Sequence, residues 1–226
     1  MRVLVANKLG TDGKTWSALF SKYHSGTYTN QWLVIDSSKI NSEEGLLTVL
    51  EEVPGLIVYN DQTNHLRQFQ YWPSYNYPFY PEIQKASGYQ KLCDLDSSNC
   101  YESVPRAQLF KANQGSVNDI ESFKKLMQLN DWQSNPLSLN NSCDAIACRG
   151  DLDGSGAFGA LDAKVGSISL SKSLKPIHYV KLGPTIDEQE VFCWSTFSQL
   201  YPSEYNLYVH KGSPDCYNFY WQQLPI

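Results

Sequence analysis

The sequence has no apolar run near the roughly 20 residues that a membrane-spanning helix needs; its uninterrupted hydrophobic stretches are a few residues long. Charge is sparse too, at 18% Asp, Glu, Lys and Arg, with no basic tract and a formal net charge of −5. Binding to a phosphate backbone requires clustered Lys and Arg, so nucleic acid is excluded as a partner. The opening Met1–Asn7 is too short in its apolar part for the core of a secretory signal peptide. Gly-x-Ser-x-Gly, His-Glu-x-x-His, P-loop and Cys-x-x-Cys signatures are all missing. His24, His65, His178 and His210 are scattered without metal-ligand spacing. These absences argue against the usual serine and zinc hydrolases, and the sequence implies no metal and no cofactor. Neither an internal repeat nor a low-complexity linker divides the 226 residues, which are read as one domain over 1–226.

Aromatic residues are abundant, with fifteen Tyr and six Trp. Such a composition suits a surface for sugars, lipid head groups or peptides, and equally an aromatic-rich core. Six cysteines fall as three close pairs. Fifteen connectivities exist for six cysteines, and sequential pairing closes the shortest loops. Cys93–Cys100, Cys143–Cys148 and Cys193–Cys216 are therefore expected, in an oxidising compartment. Beside the second pair, Asn140-Asn141-Ser142 forms a glycosylation sequon that marks Asn140 as a surface site.

The stretch His24 to Asp36 carries the strongest local signal. Ser25-Gly26 reads as a turn, and the apolar and β-branched residues after it suit a central strand buried on both faces. Asn30 and Gln31 lie inside this run, where buried amides need partners: a core network or a cavity wall. Upstream, residues 2–9 read as the end of a helix. Asp12 caps a second one, whose Trp16, Leu19, Phe20 and Tyr23 make an apolar stripe. His24 follows as a helix-end residue favoured by the dipole.

Downstream, Leu46–Glu52 and Gly55–Tyr59 read as neighbouring antiparallel strands, and Leu66–Tyr71 as a further strand. Tyr71–Tyr80 is too rich in proline for a regular element and is expected to lay its rings on the body. A short helix starts at Pro81 and is capped by Gly88. Ser116 with Asp119 reads as a capping-box start for a helix carrying Val117, Ile120, Phe123, Leu126 and Met127, which ends at Asn130 as a left-handed C-terminal residue. Asp162–Leu170 reads as a strand, Ser173–Gly183 as a connection, and Phe192–Trp221 as an aromatic tail. The expected class is α+β, with mostly antiparallel strands covered by helices.

Two motifs overlap at Arg149. Arg149-Gly150-Asp151 matches an adhesion tripeptide, a match that three residues make by chance. Asp151-x-Asp153-x-Ser155-Gly156-x5-Asp162 has the spacing of a calcium loop. Its last position is Asp rather than a bidentate Glu and its flanks are not helices, so a Gly/Asp-rich turn is the better reading.

Gly26-Thr27-Tyr28-x-Asn30-Gln31-Trp32 resembles the segment that marks the phospholipase B-like proteins, lysosomal and secreted hydrolases with an N-terminal nucleophile. Further matches follow in the family's order: LLTVLEEVPG at 46–55, YWPSYNYPF at 71–79, Pro105-Arg106-Ala107, Leu129-Asn130-Asp131, Asn135-Pro136-Leu137-Ser138, Arg149-Gly150-Asp151-Leu152 and Trp194-Ser195. The resemblance implies the C-terminal portion of an αββα sandwich, incomplete at its N-terminal side, and a role in lipid degradation through amide or ester hydrolysis. In such enzymes an exposed N-terminal Cys attacks, its own α-amino group serving as base.

Asn130 and Arg149 match the family's pocket Asn and Arg, which supply or orient donors for the oxyanion. Thr27, Tyr28, Asn30, Gln31, Trp32, Trp72, Tyr75 and Asn76 are the substrate-pocket candidates. The family's nucleophile lies upstream of the matched segments, and a Met1 thioether cannot replace it. The implied partners are a small-molecule or lipid substrate and the upstream segment of the same precursor. The implied location is secreted or lysosomal. The alternative is a catalytically inactive binding protein that uses the Tyr71–Tyr80 loop as its contact surface.

Overall fold

A computed structural model describes residues 1–168, 176–205 and 211–224. They form two compact units, Met1–Val104 and Pro105–Ile226. Both mix helices with antiparallel sheet, so the α+β class holds.

In the first unit, helices α1 (Arg2–Leu9) and α2 (Gly13–Ser21) precede strands β1 (Gln31–Ile35), β2 (Leu47–Val53) and β3 (Leu56–Asp61). Helices α3 (Thr63–Phe69), α4 (Pro81–Ser87) and α5 (Tyr89–Leu95) follow. The sheet order is β1-β2-β3, with Trp32 opposite Leu50 and Leu50 opposite Tyr59. The central strand is β2, whose residues Leu47–Glu52 are all buried. Side chains alternate along a strand, so β2 serves two cores. Leu50 packs with Ala6, Trp16 and Phe20 of the first two helices. Leu47 and Val49 pack on the other face with Tyr80 and Ile83.

Local chemistry explains the helix starts. The Asp12 carboxylate accepts from the Thr15 amide at 2.7 Å and the Thr15 hydroxyl returns to Asp12, a complete capping box. Gly13 then brings the helix against β2, where any Cβ would lie 2.1 Å from the Thr48 hydroxyl. Gly88 adopts the expected left-handed cap at φ 87°.

Two expectations in this unit are corrected. The strand after Ser25-Gly26 is shorter, and among the described residues it is an edge: β1 pairs only with β2, leaving Leu33 and Ile35 42% and 59% exposed. The LTVLEEV stretch takes the centre instead, with Leu50 packed in one core and Leu47 and Val49 in the other. Leu66–Tyr71 is not a strand but the end of α3 and its left-handed cap Gln70. Asp61 starts that turn by accepting from the Thr63 amide and hydroxyl, and Leu66 reaches the second core.

The second unit contains α6 (Pro105–Asn113), α7 (Ile120–Gln128), β4 (Asp162–Ile168), β5 (Pro176–Leu182), α8 (Trp194–Leu200), α9 (Pro202–Tyr205) and β6 (Gln222–Leu224). Its sheet order is β4-β5-β6, again antiparallel. The cap of α7 is Asp119 with Ser122, not Ser116, and Val117 lies outside the helix. The helix stops at Gln128 with Leu129 extended, and Asn130 has no positive φ, so the left-handed reading of Asn130 fails. The expected connection at Ser173–Gly183 is largely β5: its seven residues pair throughout with β4, which overrides weak strand propensity at Pro176 and Lys181. Residues 169–175 lie outside the described set, including Leu170 of the expected strand and Ser173 of the expected connection. Residues 206–210 of the aromatic tail, His210 among them, do so as well. All three expected disulfides are present.

Glu51 and Glu52 are the only charged residues in β2, and both are buried. Glu51 accepts from the Phe79 amide (2.7 Å), the Tyr80 amide (2.8 Å) and Gln31 Nε2 (2.6 Å). Removing a buried acceptor strands its donors, at about 1–3 kcal/mol each. Glu51→Ala is therefore expected to destabilise the chain by about 3 kcal/mol in urea unfolding; a loss within experimental error would contradict this. Burial raises the Glu51 carboxyl above its usual value, against the pull of the three N–H donors. A raised acid holds its proton more tightly when folded, so its contribution is fully present below the ordinary Glu value and is lost as pH rises through the raised one. Melting curves from pH 4 to 7 are expected to show this slope in the native chain and a flatter one in Glu51→Gln.

Candidate functional site

The site candidates divide between the two units. In the second unit, Asn130 and Arg149 are the centre of a buried polar knot. Asn130 Nδ2 donates to the Ser142 carbonyl at 3.0 Å and the Ala147 carbonyl at 2.7 Å. Two carbonyls fix which end of the amide is nitrogen. Its Oδ1 is buried and has no partner among the described residues. The Asn130 carbonyl accepts from Gln189 Nε2 at 2.6 Å.

Arg149 is 1% exposed. Its Nε and Nη2 make a fork on the Asp151 carboxylate at 2.7 Å each, and its Nη1 donates to the Thr185 carbonyl at 2.6 Å and the Glu190 carbonyl at 3.0 Å. Of the five guanidinium N–H groups, these bonds occupy four and leave one on Nη2.

Backbone geometry closes the knot. Ser142, buried, donates its hydroxyl to the Arg149 carbonyl at 2.6 Å, while the Arg149 amide donates to the Ser142 carbonyl at 3.1 Å. The Cys143–Cys148 disulfide spans the loop between them. Arg149 forms an isolated bridge with Gly159, whose φ is +155° and where a Cβ would lie 2.2 Å from the Cys148 carbonyl. The chain can return that closely only at glycine.

Two acids of the calcium-like loop, Asp151 and Asp153, are engaged in the same knot. Asp151 spends both oxygens on Arg149. Asp153 accepts from the Ser142 and Ser155 amides at 3.0 Å each, and Asp162 pairs with Lys164. Among the described residues, Cys193, Asp215 and Cys216 bring three potential metal-ligand atoms within 4.8 Å of one another. There the sulfurs form a disulfide and Asp215 accepts from the Ser195 amide and hydroxyl at 2.8 and 2.7 Å.

Beside Arg149 the open space is small. A crevice of about 30 Å³, lined by Arg149, Phe158, Phe192 and Trp194, has room for a water or two. In this arrangement Asn130 presents an acceptor, and both residues chiefly hold backbone in place.

The candidates of the first unit lie beside more open space than Arg149 does. A polar cleft of about 440 Å³ lies among Thr29, Asn30, Gln31, Glu51, Asn76 and Tyr89, within the usual range for ligand sites. Three of the candidates, Asn30, Gln31 and Asn76, line it together. The network expected of the two amides is made by Gln31, which donates to Glu51 and accepts from Trp72 Nε1 at 3.4 Å, whereas Asn30 is exposed.

The remaining candidates do not line this cleft. Thr27 and Tyr28 are exposed in the turn, Tyr28 at φ 51°. Trp32 faces the first core, its rings 4.9 Å from Phe20 and its Nε1 donating to Glu52 at 3.2 Å. Trp72 packs on Phe79, 4.7 Å away. Tyr75 is buried and donates to the Tyr101 carbonyl at 2.8 Å, and burial raises its phenol well above the usual value.

His24 is held by more than a helix end: its Nδ1 lies 3.0 Å from Glu52 and its Nε2 3.2 Å from the Val53 carbonyl. The sequence reading passed over Glu51 and Glu52. Two adjacent acids inside an apolar strand pattern were the available signal, since buried carboxylates must be paired or hydrogen-bonded.

Fold and site together define an α+β protein with three disulfides, two buried polar networks and an open polar cleft. The sequence model of the Phospholipase B family matches residues 1–224. The chain is 39% identical over 228 residues to Phospholipase-B 81 of Drysdalia coronoides, and 39% identical over 228 residues to Phospholipase B-like 1 of Bos taurus. It is 37% identical over 243 residues to Putative phospholipase B-like 2 of Homo sapiens. These alignments take in 96%, 96% and 97% of this chain, and 39%, 39% and 40% of the relatives. The chain belongs to the phospholipase B family, and it spans about two fifths of the length of the curated relatives it matches.

The knot makes a firm prediction. Asn130→Asp keeps the shape but replaces two donors by an acceptor facing two carbonyls. A loss of about 3 kcal/mol or more is expected in chemical denaturation. Unchanged stability would show that the Ser142 and Ala147 carbonyls do not depend on this amide.

Proposed function

We propose that this chain is part of a phospholipase B-like hydrolase that cleaves amide or ester bonds, with phospholipid deacylation as the implied reaction. Family membership supports the reading, and one observation in this chain carries its division of labour: all six cysteines are in disulfides. A disulfide sulfur cannot supply an attacking thiolate. The nucleophilic Cys is therefore assigned to the precursor upstream of residue 1, and both units to one phospholipase B-like domain.

In this mechanism the upstream Cys thiol attacks the scissile carbonyl and its α-amino group takes the proton. Arg149 and Asn130 hold the Leu129–Asp131 and Ser142–Asp151 backbone in fixed positions. The Asn130 Oδ1 and the one uncommitted Nη2 hydrogen of Arg149 are the polar groups left to face the reacting centre. Of these only the Arg149 N–H can donate to an oxyanion, and one preorganised donor of this kind is worth about 10²–10³ in turnover.

A secreted or lysosomal location accords with the three disulfides; among the described residues no helix is long and apolar enough to cross a membrane. Asn140 is exposed and is the proposed glycan site; Ser142 of its sequon is buried, so the sequon must be read before this loop folds. The inactive-binder alternative gains little from the Tyr71–Tyr80 loop, because Tyr75 and Tyr80 are turned into the body.

In an active full-length family enzyme carrying these residues, Arg149→Lys is expected to cut kcat about 100-fold with a small change in KM. A folded Arg149→Lys variant with native turnover would remove Arg149 from the mechanism. For the glycan, treatment of protein from its natural source with an N-glycosidase is expected to lower the intact mass and convert Asn140 to Asp. An unmodified Asn140 would contradict the assignment.

A further inference from the structure

We infer that the polar cleft of the first unit is a binding site for a neutral polyhydroxylated ligand, a sugar or cyclitol ring. The inference rests on reading that cleft as a ligand site and does not require hydrolysis to occur there.

Three features select this chemistry. First, amides and hydroxyls furnish the wall: Asn30, Asn76, Ser74 and Ser87 are exposed, with the Ser87 hydroxyl donating to the Ile83 carbonyl at 2.6 Å and so presenting its oxygen as an acceptor, and Asn30 Oδ1 accepting from the Gln31 amide at 2.9 Å and so presenting its NH2 as a donor. A ring with several hydroxyls needs both kinds of partner close together, and side-chain amides offer both. Second, the buried acid Glu51 lines the cleft and is locked by three N–H donors at 2.6–2.8 Å, so it cannot swing away. A fixed carboxylate accepts well from ligand hydroxyls, and such bonds are stronger than neutral ones. Third, Tyr77 and Tyr89 lie with ring centroids 4.4 Å apart. Their hydroxyls are anchored, Tyr77 to the Asn99 carbonyl and Tyr89 to the Asn76 carbonyl at 3.2 Å. The rings are thus rigid and give an apolar surface for the C–H face of a sugar.

What lines the cleft also excludes alternatives. No Lys, Arg or His is among its described lining residues, so a phosphate or carboxylate would meet Glu51 with no compensating cation in the wall. Glu52 is already neutralised from the opposite face of β2 by Arg2 at 3.4 Å, with His24 at 3.0 Å. A tightly held cation therefore has only Glu51 to answer it, whereas a neutral ring uses the whole wall.

The test is direct binding to the 226-residue chain by saturation-transfer NMR and calorimetry, independent of turnover. The probes are methyl α-glucoside and myo-inositol, with inorganic phosphate and choline chloride as comparisons. Saturable binding of either neutral ring is expected, weakened at least tenfold in Ser87→Trp, which fills the cleft from an exposed position and should melt as the native chain does. Ser74→Trp provides a second block from the opposite sequence segment. A preference for the glucoside would point to a glycoconjugate as the source of the ring, and a preference for inositol to a lipid head group. No saturable binding of either ring, binding unaffected by both Trp variants, or binding of phosphate or choline alone would overturn the inference. Absence of ring binding by the native longer enzyme, with its hydrolysis present, would refute this site and leave the hydrolase reading standing.

Discussion

The first unit is built around two adjacent carboxylates on one buried strand. Glu51 and Glu52 point to opposite faces of β2, and each is compensated by a different part of the chain. Glu51 gathers the Phe79 and Tyr80 amides and Gln31, fastening the proline-rich Tyr71–Tyr80 segment and β1 to the centre. Glu52 gathers Arg2, His24 and Trp32, tying the first helix and the turn after α2 to the same strand. An uncompensated charge in this position would cost several kcal/mol, so the surrounding segments have little freedom to rearrange. The cleft inherits its rigidity from this constraint.

The second unit applies the same principle to irregular backbone. Segments around 129–131, 142–151 and 185–190 have no sheet to satisfy their carbonyls, and Asn130, Arg149 and Gln189 supply the missing donors. A disulfide across Cys143–Cys148 and the close return at Gly159 complete the loop. Residues that resemble the family's pocket Asn and Arg are thus first of all structural. What they leave over is a single acceptor, Asn130 Oδ1, and a single donor on Arg149 Nη2.

Much of this was legible in the sequence where one local rule dominates. Asp12, Pro81 with Gly88, and the Leu46–Tyr59 hairpin each follow from capping or turn chemistry and folded as read. Cysteine spacing gave the three disulfides. The misreadings share a cause: tertiary competition. Leu66–Tyr71 has strand-like residues, yet the Asp61–Thr63 turn starts a helix there. The Trp32–Ile35 run is apolar on both faces, yet LTVLEEV, whose Leu50 meets one core and whose Leu47 and Val49 meet another, takes the centre. Asn130 has the identity of a left-handed cap, while its amide is needed by two carbonyls twelve and seventeen residues away. At the candidate site, family motifs located Asn130 and Arg149, but no local pattern shows which hydrogen-bonding atoms remain unused. Glu51 was visible only as an anomaly in an apolar strand.

The central claim is that these 226 residues hold a pocket in shape while the attacking thiol comes from elsewhere in the protein. Phospholipid and amide-substrate hydrolysis by the purified 226-residue chain, kept oxidised and checked for free thiols, tests it most directly. The account predicts a folded chain with no free thiol and no turnover. Turnover by that chain would place a nucleophile within it and contradict the account.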